Sequence, residues 1–313
     1  MNFAWIKLHH PKLATAEIEG LIKEKCTRKN ELVFTQANLK GLEKRLALTR
    51  ATYELCFTCK QEELEKRMQN YNWETKYHTN FRITTHNCKI PEKKLGSIVW
   101  KKLKEPKVEL KKPKTNITIF CNQGKAHVGI EKERIKERFE ERRGKNRPCK
   151  HPTTMHPTIA RAIINLTGAK ERLTDPMCGA GGILIEAGKI GLKTYGYDID
   201  KKVLEKARKN LKHFGIKTKL QQKDATTITK KLKYIATDLP YGHSTNPKNL
   251  EKTYKNFLKM LRKNLTGKAA IMYPHWTNIP QIAKKLGMTT GKTLSIYVHK
   301  GLTRNIVVIS NPQ

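Results

Sequence analysis

The sequence predicts an α/β fold in which a nucleotide-binding half follows a smaller α/β region. Strands and helices alternate regularly after residue 151, a glycine-rich turn within residues 174–188 (TDPMCGAGGILIEAG) joins a buried strand to a helix, and a β-hairpin closes the chain. Short strand-helix units in series form parallel sheets with right-handed crossovers. The length of 313 residues is enough for two or three domains.

The first 130 residues show a less regular pattern of short elements. Helices are predicted where apolar residues recur every three or four positions, and strands where they alternate or cluster with β-branched residues. In chain order, we predict a helix at 11–25, a strand at 32–34, a helix at 39–46, strands at 53–57 and 80–84, a helix at 93–103, a strand at 108–110 and a hairpin at 117–130 that turns at Gln123-Gly124.

Residues 131–150 (EKERIKERFEERRGKNRPCK) separate the two halves. Fourteen of the 20 are charged, and Ile135 and Phe139 are the large apolar residues. Such a run is typical of a solvated linker helix. An RNA-facing connector is an interpretation compatible with that helix, and both place a domain boundary here.

After residue 151 the predicted elements follow one another in strand-helix order. The predicted helices are 157–166, 182–189, 201–213, 257–265 and 281–286. The predicted strands are 173–175, 194–198, 220–223, 234–238 and 268–272, followed by a hairpin of 294–299 and 305–310. The hairpin adds an antiparallel edge to an otherwise parallel sheet.

The charge balance points to a polyanionic partner. Sixty-four Lys and Arg face 27 Asp and Glu, which gives a formal charge of +37. Nucleic acid is the favoured partner and an acidic membrane surface the second choice. No apolar run approaches the roughly 20 residues of a spanning helix, and residues 1–22 lack the apolar core of a signal peptide. We therefore expect a soluble, cytoplasmic protein.

The seven cysteines do not form a disulfide framework, because their number is odd and their spacing irregular. Cys56 and Cys59 form a lone C-x-x-C motif. Tetrahedral zinc would need two further ligands, for which His78, His86 and Cys88 are the nearby candidates. A pair of half-buried strand cysteines is the favoured interpretation, and we expect no metal.

The glycine-rich turn predicts a nucleotide-like ligand. Cys178, Gly179 and Gly181 lie between the strand that ends at Asp175 and the next helix, where backbone N–H groups are free to face a ligand. Asp198 ends the second strand and is placed to bind ribose hydroxyls, and Asp224 follows the third strand, placed to meet an adenine amino group. Together these acids predict an adenosine site. The G-A-G-G spacing disfavours NAD.

A second motif, Asp238-Leu239-Pro240-Tyr241, follows the fourth strand of this half. The amino nitrogen of a base is a poor nucleophile, because its lone pair is delocalised into the ring. The Asp238 carboxylate and the Leu239 carbonyl can accept its two hydrogens, while Tyr241 stacks on the extruded base. The simpler alternative is an ordinary β-turn with proline at its second corner. His243, just beyond, is interpreted as a phosphate or base contact.

These motifs resemble those of class I S-adenosylmethionine-dependent methyltransferases. Asp238 to Tyr241 resembles the (Asp/Asn)-Pro-Pro-Tyr motif of enzymes that methylate exocyclic amino groups, with Leu239 replacing the first proline. The resemblance implies a Rossmann-like, seven-stranded mixed sheet and S-adenosylmethionine as the cofactor. It also implies that Asp175 lies near the methionine ammonium, Asp198 at the ribose and Asp224 at the adenine.

Nearly the whole chain is similar to the archaeal tRNA guanine N2-methyltransferases that act on guanosine 10. The stretches that carry the similarity are LATAE (13–17), KVELKKPKTNITIF (107–120) with Val128-Gly129-Ile130, Arg147-Pro148 with HPTTM (151–155), DPMCGAGGILIEA, TDLPYG and Leu302-Thr303-Arg304. The similarity implies four segments: a ferredoxin-like domain at 1–55, a THUMP RNA-binding domain at 56–132, a linker at 133–150 and the catalytic domain at 151–313.

The expected activity is therefore methylation of N2 of a tRNA guanosine, with position 10 favoured and tRNA as the partner. Other tRNA positions, rRNA guanine and amino-adenine stay open as targets, as do mono- or dimethylation and an accessory subunit. A scaffold that binds tRNA without catalysis is the alternative of a different class. The intact Asp175, Gly179, Asp198, Asp238 and Tyr241 argue against it.

Overall fold

In the computed structural model, which describes residues 1–150, 154–242 and 247–312, the chain divides into two compact units. The first contains residues 1–11, 24–43 and 49–135, and the second contains 12–23, 44–48 and everything from 136 onward. Helix α1 (Pro11–Ile22) thus belongs, apart from its first residue, to the second unit, although it occurs early in the chain.

One sheet organises the first unit. Its strands are β1 (Asn2–Ile6), β2 (Thr27–Lys29), β3 (Leu32–Thr35), β4 (Thr49–Lys60), β5 (Phe81–His86), β6 (Thr115–Asn122) and β7 (Lys125–Arg134), and its helices are α2 (Leu64–Asn70) and α3 (Glu92–Trp100). Over the described residues the strand order is β2-β3-β1-β4-β7-β6-β5, and all pairs are antiparallel except β5 with β6. The predicted boundary at 55/56 falls inside β4, and the division into three domains stays a prediction.

The predicted hairpin of β6 and β7 is confirmed. Gln123 and Gly124 form its turn with φ of +47° and +74°. Positive φ at both turn residues matches the right-handed twist of paired strands. The predicted strand at 108–110 is wrong, because this segment makes only an isolated bridge between Val108 and Phe81. Cys56 and Cys59 both lie in β4 as predicted, and Cys56 is half-buried as predicted, whereas Cys59 is buried.

The predicted helix at 39–46 is also wrong, and Glu17 of α1 gives the physical reason. Its buried carboxylate accepts hydrogen bonds from the N–H groups of Ala47 and Leu48, at 2.9 and 3.0 Å, and from Asn165 Nδ2 at 2.8 Å. Residues 44–48 are thereby held as an irregular segment against α1. Burial raises the pKa of Glu17, and these hydrogen bonds oppose that rise.

Residues 131–150 form no α-helix, contrary to prediction. Strand β7 runs to Arg134, and short 3₁₀ turns occupy 139–142 and 144–146. Arg142 is buried, and its Nε donates to Glu186 Oε1 at 2.6 Å. Because this ion pair is buried and a turn follows at Gly144, the charged segment does not form the solvated helix that its composition predicts.

The second unit contains the regular strand-helix alternation. Its strands are β8 (Arg172–Asp175), β9 (Lys193–Asp198), β10 (Thr218–Gln222), β11 (Leu232–Asp238), β12 (Leu265–Pro274), β13 (Thr289–Thr290), β14 (Leu294–His299) and β15 (Leu302–Ser310). Its further helices are α4 (Pro157–Leu166), α5 (Gly182–Lys189), α6 (Lys201–His213), α7 (Pro247–Asn264) and α8 (Ile279–Lys285). Every helix and strand predicted for this half has a counterpart here.

The sheet of the second unit has the order β10-β9-β8-β11-β12-β15-β13 over the described residues, with β14 paired to β15. Strands β8 to β12 are parallel and β15 is antiparallel to β12, so the predicted mixed sheet is confirmed, with β13 added to the seven predicted strands. The carboxyl ends of parallel strands meet at one edge. This edge carries Asp175, Asp198 and Asp238.

Within the described residues, no helix combines the length and the apolar composition that crossing a bilayer requires.

Candidate active site

The turn from β8 to α5 presents backbone atoms rather than side chains. The Cys178 N–H donates to Tyr197 O at 2.8 Å, and the Cys178 side chain packs in the core with Leu184 and Ile185. Gly179 has φ of +51°, and a Cβ added there would meet no atom within 4 Å. A ligand can therefore lie directly against the backbone at Gly179.

Gly181 starts the helix without a capping side chain. It is the N-cap residue of α5 and adopts a left-handed conformation with φ of +85°. A side chain at this position would add backbone strain of about 1 to 2 kcal/mol. The first N–H groups of α5 have no partner within a helix and carry the positive end of its dipole, which favours an anionic ligand group.

Asp175 is a buried carboxyl group at the end of β8. It is 1% exposed, and its Oδ1 accepts hydrogen bonds from Thr237 Oγ1 at 2.8 Å and from the Met177 N–H at 3.2 Å. Burial, helped by the nearby carboxylates Asp198 and Asp238 and opposed by the two hydrogen bonds, raises its pKa to about 7. A ligand cation placed here would stabilise the ionised carboxylate.

Asp198 fixes the glycine-rich loop. Its Oδ2 accepts the Gly179 N–H at 2.9 Å and its Oδ1 accepts the Asp200 N–H at 3.0 Å, while Asp200 caps α6. Asp224 instead caps its own turn, because its Oδ1 accepts both the N–H and the hydroxyl of Thr226, at 2.7 and 2.8 Å. The role of Asp224 toward adenine stays a prediction.

The chain places the residues of the second motif at the same edge. The Leu239 N–H donates to Met272 O at 2.9 Å, and the Leu239 side chain is buried, which anchors the loop to β12. The Tyr254 hydroxyl, on α7, donates to the Pro240 carbonyl. These two contacts fix the position of the loop, although a leucine stands where the related motif has its first proline.

Asp238 forms a compact group with Tyr241 and Arg304. The Tyr241 hydroxyl donates to Asp238 Oδ1 at 2.5 Å, and Arg304 Nη1 lies 3.5 Å from Asp238 Oδ2. The Arg304 guanidinium also covers the Tyr241 ring, 5.2 Å from its centroid. Burial raises the pKa of Asp238 to about 6, and Arg304 and the Tyr241 hydroxyl oppose the rise.

Several residues of this site were not singled out from the sequence as site residues. Thr237 holds Asp175, Tyr254 holds Pro240, and Trp276 is 53% exposed with its ring 6.4 Å from that of Tyr241. Arg304 entered only as part of a hairpin motif, yet it lies within β15 beside Asp238. No short-range pattern marks these positions, because their partners are 14 to 66 residues away.

The predicted site residues thus divide into those that lie within the described part of the chain and those that lie outside it. Asp175, Asp198 and Asp238 lie close enough for their charges to interact, and Tyr241 contacts Asp238 directly. His243, interpreted as a phosphate or base contact, lies outside the described residues, as do Ser244 and Thr245 of the same loop. The ligand roles of all these residues remain predictions.

The residues present fit S-adenosylmethionine. The open space at Gly179 leaves room against the loop, Asp175 is a buried carboxyl group that an ammonium would satisfy, and the α5 N-terminus suits a carboxylate. Asp198 lies one strand away, where a ribose is bound in related sheets. The fold and this site define a class I methyltransferase.

Comparisons with known proteins give the family. Residues 143–306 match the family described as RMKL-like, methyltransferase domain. The tRNA (guanine(10)-N2)-dimethyltransferase of Pyrococcus abyssi is 37% identical over 235 residues, which cover 72% of this chain and 70% of that protein. The protein of the same name from Methanothermobacter thermautotrophicus is 30% identical over 96% of both chains. The chain belongs to this archaeal tRNA (guanine(10)-N2)-dimethyltransferase family.

Solved structures show the same fold. TrmN from Thermus thermophilus superimposes with a TM-score of 0.52 at 20% identity over 99% of both chains. SMU.472, solved in complex with SAH, gives a TM-score of 0.51 at 18% identity, over 100% of this chain and 98% of that one. At these identities the likeness concerns the fold alone.

Proposed function

We propose that the protein methylates N2 of guanosine 10 in tRNA, in up to two successive transfers. The observation that carries the proposal is the Asp238 carboxylate, held at the end of β11 beside the cofactor loop in a chain of this family. The formal charge of +37 supports a polyanionic substrate. Because tRNA is the substrate, we expect the enzyme to work in the cytoplasm.

The chemistry follows from the poor nucleophilicity of the guanine amino group. S-adenosylmethionine supplies a methyl group on a positively charged sulfur, which keeps the electron pair of the broken C–S bond. Asp238 accepts one N2 hydrogen and so returns lone-pair density to the nitrogen. The Pro240 carbonyl is already engaged by Tyr254, so the Leu239 carbonyl is the candidate acceptor for the second hydrogen. The new C–N bond forms as Asp238 takes the proton and passes it to solvent.

Tyr241 and Arg304 prepare this carboxylate. The Tyr241 hydroxyl donates to Asp238 Oδ1, and because a carboxylate has about four acceptor sites on its two oxygens, the base amino group can donate to Asp238 as well. The Tyr241 ring, next to this carboxylate, stacks on the extruded guanine. Arg304 favours the ionised form of Asp238, because its positive charge lies 3.5 Å from Oδ2. The carboxylate is thereby kept as an acceptor at neutral pH.

A second transfer uses the same groups. N2-methylguanine keeps one hydrogen on N2, and Asp238 can accept it. The position facing the Leu239 carbonyl then holds the first methyl group. Dimethylation therefore requires no further acid or base, only rotation of the product about its C2–N2 bond or release and rebinding.

The test uses methyl-labelled S-adenosylmethionine with an unmodified tRNA transcript, followed by nuclease digestion and nucleoside mass spectrometry. We expect N2-methylguanosine and N2,N2-dimethylguanosine, both mapped to position 10. A transcript with inosine at position 10 lacks the amino group and should receive no methyl group. A transcript with adenosine there tests the amino-adenine alternative.

The variant that tests the role of the carboxylate is Asp238→Asn, which keeps the shape of the site but accepts no proton. It should lose turnover by at least about 100-fold while retaining cofactor affinity. Methylation of rRNA but not tRNA by the wild type would move the target, and tRNA binding without S-adenosylmethionine binding would support the scaffold alternative. Equal turnover by Asp238→Asn would refute the role of the carboxylate.

A further inference from the structure

Arg147, which precedes α4, carries a buried guanidinium with free donors. The residue is 3% exposed, and its Nε donates to the Arg142 carbonyl at 2.9 Å. Among the described residues, neither Nη1 nor Nη2 has a hydrogen-bond partner, although both are buried. An unpaired buried charge is costly, and burial lowers the pKa of Arg147. The protein therefore retains a cation that a ligand anion would satisfy.

The free donors lie at the start of α5. A Cβ added to Gly182, the first residue of this helix, would be 3.1 Å from Arg147 Nη1 and 3.6 Å from Nη2. The first turn of α5 also presents unpaired backbone N–H groups at the positive end of the helix dipole, with no capping side chain at Gly181. The Arg147 guanidinium thus lies beside the first residue of α5, at the end of the helix where its dipole is positive.

Neighbouring acids form no ion pair with Arg147 among the described residues, although the charge of Glu186 partly offsets the cost of burying its guanidinium. Glu186, four residues further along α5, is buried and already contacts Arg142 Nε at 2.6 Å and Arg161 Nη2 at 2.7 Å. Arg161 and Arg142 also share Glu137, at 3.3 Å each. Arg142 and Arg161 therefore share Glu137 and Glu186, whereas Arg147 forms no ion pair with either carboxylate, and neither of its terminal nitrogens has a hydrogen bond among the described residues.

We propose that Arg147 and the first N–H groups of α5 bind the carboxylate of the cofactor's methionine moiety. That carboxylate and the ammonium assigned to Asp175 are attached to the same carbon atom. Asp175 and Gly182 correspondingly lie at the two ends of the same strand-to-helix turn. A planar carboxylate accepts two parallel hydrogen bonds from a guanidinium. The site is thus a clamp with a carboxylate for the ammonium and an arginine for the carboxylate.

The experiment compares two ligands that differ only in the carboxylate. Isothermal titration calorimetry, without RNA, measures the affinity of S-adenosylmethionine and of decarboxylated S-adenosylmethionine for wild type and Arg147→Met. We expect the variant to lose about 10- to 100-fold in affinity for S-adenosylmethionine, the value of a charge-assisted hydrogen-bond pair. Its affinity for the decarboxylated ligand should be unchanged.

Two further variants separate binding from folding. Arg147→Lys keeps the charge without the planar fork and should lose a smaller part of the S-adenosylmethionine affinity. Arg143→Met removes a nearby exposed arginine that pairs with Glu140 at 3.0 Å, and it should bind both ligands as wild type does. The inference concerns cofactor binding and rests on the proposed function only for the cofactor, so a wrong RNA target leaves the test intact.

Equal weakening of both ligands in Arg147→Met and Arg147→Lys would assign Arg147 a purely structural role and overturn the proposal. Unchanged affinity for S-adenosylmethionine in folded Arg147→Lys and Arg147→Met would overturn it as well. If Arg147→Met does not fold, the selective loss in Arg147→Lys decides the question.

Discussion

Replacing Asp175 by asparagine should weaken cofactor binding and, at the same time, make the second unit more stable at pH 8. Asp175 is 1% exposed, and both of its hydrogen bonds go to Oδ1. An asparagine with its oxygen at that position keeps the donors Thr237 and Met177. The substitution thus removes the buried charge while the packing and the hydrogen bonds persist.

The magnitude follows from proton linkage. The pKa of Asp175 is raised by burial from its ordinary 3.8 to about 7. The folded state therefore binds a proton more tightly than the unfolded state, and ionising Asp175 destabilises the fold as pH rises from about 4 to 7. The full penalty above pH 7 is about 4 kcal/mol, since each pKa unit is worth about 1.4 kcal/mol. Structural relaxation around the ionised carboxylate reduces this penalty, so we expect Asp175→Asn to gain about 2 to 4 kcal/mol at pH 8.

Native-state hydrogen exchange measures this gain, read by mass spectrometry on peptides from β8 and β11. Wild type and variant are compared at pH 8 and again near pH 4, where Asp175 is protonated in the folded state and about half protonated in the unfolded state, so the difference should fall below about 1 kcal/mol. Asp200→Asn is the matched control. Asp200 is exposed and caps α6, and asparagine caps helices equally well. The stability of Asp200→Asn should therefore differ from that of wild type by less than about 0.5 kcal/mol at either pH.

A loss of stability at pH 8 in Asp175→Asn, or a gain that does not change with pH, would refute the reasoning. The ionised carboxylate would then be compensated in the protein without any ligand. If the predicted gain is found, the ionised Asp175 lowers the stability of the ligand-free protein, and its carboxylate serves to bind a cationic group of the ligand. Calorimetry should accordingly show S-adenosylmethionine affinity reduced by at least about tenfold in the variant.

Three further perturbations test the site. Arg304→Gln removes the charge that lowers the pKa of Asp238, so the acid side of the pH profile of kcat, expected near pH 6, should move to higher pH by about one unit; an unmoved profile would contradict the pairing. Gly181→Ala should cost about 1 to 2 kcal/mol through its φ of +85° and also weaken cofactor binding, whereas Gly191→Ala, with φ of +81° at the other end of α5, should cost the same stability without affecting the cofactor. Trp276→Ala should weaken tRNA binding by about tenfold if its exposed ring stacks on a base, and unchanged binding would exclude that contact.

The sequence predicted the second unit well because its determinants are local. A glycine turn after a buried strand, an acid at or just after the ends of β8 to β11 and helical spacing between them are all readable within about 20 residues. Asp175, Asp198 and Asp238 share one edge as the parallel alternation requires. The proline-containing loop likewise follows β11, where Tyr241 meets Asp238.

The errors arose where the determining partner is distant in sequence. Residues 39–46 have helical spacing, but the carboxylate that binds the following N–H groups belongs to Glu17, 30 residues earlier. The charged run at 131–150 reads as solvated, yet Arg142 pairs with Glu186, 44 residues later. Arg304 is separated from Asp238 by 66 positions. Local patterns carry no information on such pairs.

The capture of α1 by the second unit has a consequence for how the chain folds. Glu17 must find Asn165, 148 positions away, and contacts of such separation slow folding because a long loop has to close first. During synthesis α1 is made long before α4, so α1 has no α4 to pack against while residues 49–135 are made. Expressing residues 136–313 alone would omit both α1 and 44–48, and would remove three hydrogen bonds of Asn165, one with Glu17 and two with Arg45.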